Sequence, residues 1–129
     1  MKTFSTIFAL IVLVTAFSPD RHLRMTKSEP VKKGTLSEVP LEIRLWFNQD
    51  IHLNVSTITL YQLEIQDGMV HEVPVELSEV QASEDPRSFF APLPDSLGLK
   101  DGDWKVTWST AGNDEHVVEG AFTFALDTE

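Results

Sequence analysis

Hydrophobic and polar positions alternate through several stretches of this chain, and no window of ten or more residues beyond its N-terminus carries a helical period. In Leu41-Glu42-Ile43-Arg44-Leu45-Trp46-Phe47 every odd position is apolar, and Glu42 and Arg44 take even ones. A period of two predicts a half-buried strand over 41–47, with Trp46 covering a rim. Val55 to Leu63 is rich in β-branched residues and predicts a second strand, with Ile58 and Leu60 facing inward. Asp67-Gly68 signals a hairpin turn. Beyond it Val73, Val75 and Leu77 alternate with Pro74 and Glu76, and the proline places this strand at a sheet edge.

From Ser78 to Asp95 the chain is acidic and interrupted by prolines, with one short apolar run, Phe89-Phe90-Ala91, suited to brief pairing. Asp101-Gly102 then launches Trp104, Val106 and Trp108 on one face, with Lys105 and Thr107 on the other. Val118, Gly120, Phe122, Phe124 and Leu126 close the chain with one parity. Before Leu36, Pro30 and Gly34 break anything helical, and the strand over 41–47 is the first clear one. Short strands at this spacing predict an all-β fold, an immunoglobulin-like Greek-key β-sandwich, in a single domain.

The N-terminus differs from the rest. Met1-Lys2 is a basic start, Thr6 to Val14 is apolar after its first residue, and Val14-Thr15-Ala16 offers small residues for a peptidase. These features predict a cleaved secretory signal peptide over 1–16 and a mature, exported domain over 17–129. The apolar run falls short of the roughly 20 residues that span a bilayer, so no membrane insertion is expected after cleavage. Ten Lys and Arg face twenty Asp and Glu, a net charge of -10 that argues against nucleic acid as a partner. Cysteine is absent, so the fold stands on its hydrophobic core, and thiolate chemistry is excluded.

Four histidines remain as candidate chemistry: His22, His52, His71 and His116. Asp114 and His116 stand two apart, and in an extended segment they would point to the same side while Glu115 points away. A carboxylate and an imidazole converging in this way make two arms of a metal site, and a third arm is needed.

Three blocks of this sequence resemble the CopC-type family of periplasmic copper-resistance domains. His22-Leu-Arg-Met-Thr-Lys-Ser-Glu-Pro30 is similar to its opening pattern, "LEIRLWF" over 41–47 to its first long strand, and "WKVTWSTAGNDEHVVEGAFTF" over 104–124 to its closing signature. The stretch 62–94 matches only loosely. The resemblance implies that Asp114 and His116 bind Cu(II) and that His22 completes the site, the first and last strands lying side by side so that the two histidines meet. Imidazole nitrogens with a carboxylate oxygen suit tetragonal Cu(II), whereas a cysteine-free site offers little to a structural zinc. With only Met25 and Met69 left after processing, no Cu(I) site of clustered soft ligands is expected.

Two departures alter what the resemblance carries over. Glu115 stands where the family's loop has glycine, which removes backbone freedom and adds a negative charge. Cleavage after Ala16 leaves Phe17 first and His22 inside the chain, so the amine that chelates copper beside an N-terminal histidine is missing. The expected site is therefore two rings and a carboxylate with room for water, and His71 or His52 is a substitute arm. The Asn54-Val55-Ser56 sequon carries no weight in a periplasmic protein, and Asp101-x-Asp103 lacks the spacing of a calcium loop.

The resulting expectation is a periplasmic Cu(II) carrier, not an enzyme, that buffers the ion or passes it to a membrane protein of the CopD kind. The alternative is a metal-free interaction module of the same fold, in which Asp114 and His116 serve only their turn. An oxygen-activating copper enzyme would need the free amine that processing removes, and no Ser/His/Asp or paired-carboxylate set suggests hydrolysis.

Overall fold

The computed structural model describes residues 22–129, and the expected signal peptide over 1–16 with its cleavage point lies outside them. Among the described residues nine strands form two sheets, the all-β architecture that the alternation predicts. In chain order they are β1 (Met25–Glu29), β2 (Thr35–Leu36), β3 (Glu42–Phe47), β4 (Thr57–Gln66), β5 (Met69–Val75), β6 (Gln81–Ala82), β7 (Ser88–Pro92), β8 (Gly102–Ala111) and β9 (Val117–Leu126). One sheet runs β1-β3-β7-β6 and the other β2-β9-β8-β4-β5. The chain crosses between the layers repeatedly, which is the connectivity of an immunoglobulin-like sandwich.

Period-two burial explains β3, β8 and the inward row of β9, whereas β5 is exposed along nearly its whole length. In β3, Ile43, Leu45 and Phe47 are buried while Glu42, Arg44 and Trp46 face outward and are half-buried. Trp46 lies under the Lys27 ammonium, 4.5 Å from the ring centroid, on the outer face rather than at a rim. In β8, Trp104, Val106, Trp108 and Thr110 turn inward. Their antiparallel partners on β9 are Phe124, Phe122, Gly120 and Val118. Gly120 is the one small residue in that inward row because the Trp108 indole lies where its Cβ would stand.

Phe47 joins the layers below one end of the sandwich. Its ring stacks on Phe89 at 5.7 Å and meets Trp108 edge-on at 5.1 Å, so β3 and β7 of one sheet are packed against β8 of the other. Ile58 and Leu60 face inward from β4 as expected. Asp67 and Gly68 both hold positive φ, 54° and 76°, as a two-residue primed hairpin turn requires. β5 is an edge strand, in keeping with Pro74.

Several boundaries differ from the sequence reading. Leu41 precedes the first rung of β3, where Glu42 faces Pro92, and is 81% exposed. Val55 belongs to a 3-10 turn over Leu53–Val55, so β4 starts at Thr57 and runs on to Gln66. β1 and β2 carry no readable alternation: β1 buries only Ser28, and β2 is a two-residue parallel addition to β9. The strand beside β9 at the sheet edge is therefore β2, and β1 belongs to the opposite sheet.

Candidate metal site

The loop 112–116 spans the gap between β8 and β9 after their last rung, Ala111 opposite Val117. Asp114 and His116 do meet there, but a turn brings them together rather than an extended segment. The Glu115 amide donates to the Gly112 carbonyl at 2.9 Å, and Glu115 sits in the left-handed region at φ 63°. That is a conformation glycine adopts freely and other residues hold at a cost, which explains why a glycine suits this position. Asp114 Oδ1 accepts the His116 amide at 3.1 Å, closing the turn through the aspartate side chain. Oδ2, the other carboxylate oxygen, lies 3.5 Å from His116 Nδ1.

The exposure of both groups sets what they can do. The His116 side chain is 85% exposed and that of Asp114 52%, so the pair faces solvent. An ion pair here would add little to stability, and ring and carboxylate are open to a ligand. Metal bonds of about 2.0–2.2 Å put two adjacent ligands roughly 3 Å apart. A carboxylate oxygen and a ring nitrogen 3.5 Å apart thus fit neighbouring positions on one ion after a small closing motion.

Asn48 and Gln49, directly after β3, tie the N-terminal segment to this loop. Asn48 Nδ2 donates to the His22 carbonyl at 2.9 Å, and Asn48 Oδ1 accepts the Arg24 amide at 2.9 Å. Gln49 Oε1 accepts the Asn113 amide at 2.9 Å. Gly112 is buried against the same glutamine, whose amide group would collide with a Cβ there. His22 therefore stands at the same end of the sandwich as Asp114 and His116 although β1 and β9 lie in different sheets. It arrives through two neighbouring amide side chains, not through adjacent strands.

Sequence reasoning passes over Asn48 and Gln49 because polar residues beyond a strand end carry no periodic signal. Two side-chain amides in succession at a strand terminus, with a glycine before the candidate ligands, are the available hint. Among the described residues no group of three or more His, Cys, Asp or Glu is gathered closely enough to hold a metal. His116 and Asp114 form a pair, and His22 is a neighbour at the same end.

His52 and His71 separate cleanly. The His52 amide donates to the Ala111 carbonyl at 3.0 Å, next to the loop. His71 lies on β5 opposite Glu64, near the Asp67-Gly68 turn at the other end.

Comparison with protein families matches the CopC domain over residues 25–127. That span contains Asp114 and His116 and begins just after His22. Comparison with curated proteins finds no match. Among solved structures the chain is similar to CopC from Methylosinus trichosporium OB3b, at 22% identity and a TM-score of 0.64, over 82% of this chain and 94% of that one. It is also similar to PcoC, a methionine-rich copper resistance protein from Escherichia coli, at 23% identity and a TM-score of 0.68, over 82% and 99% of the two chains. At these identities the likeness establishes the shared sandwich, and the domain match, which covers most of the sequence, establishes kinship: this chain belongs to the CopC domain family.

Proposed function

We propose that this CopC-domain protein carries Cu(II) in the periplasm, holding it with His22, Asp114 and His116 and delivering it to an inner-membrane partner of the CopD kind. Membership of the CopC family supports a copper-related function. The observation that carries the finer reading is the Asp114 carboxylate beside the His116 ring, 3.5 Å apart on an exposed loop. That loop is tied through Gln49 to the segment that bonds the His22 carbonyl. Imidazole and carboxylate donors suit tetragonal Cu(II), and an exposed site suits release to a partner. The role is carriage without chemical change to the ion. Protons compete with copper for ring nitrogens, so affinity falls as pH is lowered toward 5.

Titrating Cu(II) into wild type and His116→Ala tests this reading. The variant is expected to lose affinity by roughly 100-fold or more, since even partners outside the ligand set are worth 10–100-fold. Equal affinities would remove His116 from the site.

A second reading, a metal-free interaction module, is favoured by one feature. Asp114 already closes the turn by accepting the His116 amide. It predicts an unchanged melting temperature when Cu(II) is added to chelator-treated protein, whereas a carrier gains stability from a ligand that binds its folded state.

A further inference from the structure

The carrier reading leaves the ion short of ligands: one carboxylate, one ring beside it, and a second ring, His22, on a different segment. Two other histidines were open as substitutes, and the fold distinguishes them. His71 belongs to the far end, in the hairpin closed by Asp67 and Gly68. His52 belongs to the loop end, and both polar groups of its backbone are fixed there.

The His52 amide donates to the Ala111 carbonyl at 3.0 Å, and its carbonyl accepts Ser56 Oγ at 2.8 Å. Ser56 Oγ also bonds Thr110 Oγ1, buried in β8, at 2.7 Å. His52 is therefore pinned to the last residues of β8, one position before the loop that carries Asp114 and His116. On the opposite flank of Ala111 stands Val117, the immediate neighbour of His116. Two strand spacings, about 10 Å in all, separate the flanks; among the described residues no three metal-capable groups stand together without an ion, so the His52 and His116 rings would have to turn toward one another to share it. The His52 side chain is exposed, so its ring can turn toward an ion without disturbing the core. Gln49, three residues earlier, keeps the loop close to this segment through the Asn113 amide.

We infer that His52 supplies an imidazole ligand to the ion held by Asp114 and His116. The inference rests on the carrier reading and extends it: His22, His52 and His116 with Asp114 offer three nitrogens and one oxygen from a single end of the sandwich. Such a set meets the tetragonal preference of Cu(II) without an N-terminal amine. His52 is held for that place by the hydrogen bonds of its own amide and carbonyl to Ala111, Val55 and Ser56.

Cu(II) titration with pulsed EPR counting of coordinated imidazoles tests it, on wild type, His52→Ala, His52→Gln, His71→Ala and His116→Ala. Both His52 variants are expected to bind about 10-fold or more weakly and to show one imidazole fewer, with copper-free melting temperatures equal to wild type. His71→Ala is expected to match wild type in both readouts. If His52→Ala and His52→Gln match wild type while His116→Ala loses copper, the assignment of His52 is overturned and the carrier reading stands. If His116→Ala also matches wild type, the carrier reading fails and this inference with it.

Discussion

The two ends of the sandwich are built from similar parts and reach different outcomes. At the far end, Asp101 accepts the Thr128 amide at 3.0 Å and the Thr128 hydroxyl at 2.7 Å, securing the last residues of the chain. At the loop end, Asp114 likewise accepts a backbone amide two residues on. What separates them is the imidazole that the 112–116 turn sets against the second oxygen of Asp114. Histidines follow the same division: His22, His52 and His116 share the loop end, and His71 alone lies toward the other. An aspartate that closes a turn is a common structural device. It becomes a candidate metal ligand where a ring nitrogen converges on its remaining oxygen.

The largest way to break the comparison acts on the support of the loop end rather than its surface. Phe47→Ala removes the ring that joins Phe89 to Trp108 beneath Asn48 and Gln49. Urea unfolding is expected to show a loss of about 3–5 kcal/mol, far more than any substitution of the exposed histidines. Next in size is the carboxylate. Asp114→Asn keeps an oxygen for the His116 amide and removes the charge, so Cu(II) affinity should fall about 10-fold, or 1.4 kcal/mol, while the melting temperature without copper holds. Asp114→Ala should lose the same affinity and also lower stability by about 0.5–1.5 kcal/mol, the usual worth of one hydrogen bond. A common stability for the two variants would show that the carboxylate does not secure the turn.

Gln49→Ala sharpens the comparison at a smaller scale. It deletes the bond to the Asn113 amide, and calorimetry should find about 1 kcal/mol of lost stability with copper affinity reduced severalfold. Smallest of all is Asp101→Asn at the far end, expected to leave Cu(II) affinity unchanged in a direct titration. A fall in affinity there would mean that the ends are coupled.

Much of the architecture is legible along the chain, for reasons visible in particular residues. β3 and β8 bury alternate residues between two layers, β9 does so from Phe122 to Leu126, and a sandwiched position of that kind writes itself as alternation. β1 is not legible because it lies at an edge and buries only Ser28. The pairing of Asp114 with His116 is anticipated from their spacing, although the extended geometry behind that expectation is replaced by a turn with Glu115 at positive φ. Asn48 and Gln49 escape because their role is defined by what lies opposite in space. A side-chain amide that bonds a distant backbone leaves no mark on its own sequence neighbourhood.

Continuous-wave EPR of the protein loaded with one equivalent of Cu(II), compared with His116→Ala prepared identically, tests the central claim most directly. The account predicts a tetragonal spectrum with nitrogen hyperfine structure from coordinated imidazole, simplified by the loss of one nitrogen in the variant. A wild-type spectrum of hydrated copper without nitrogen coupling, or an identical spectrum from the variant, would contradict it.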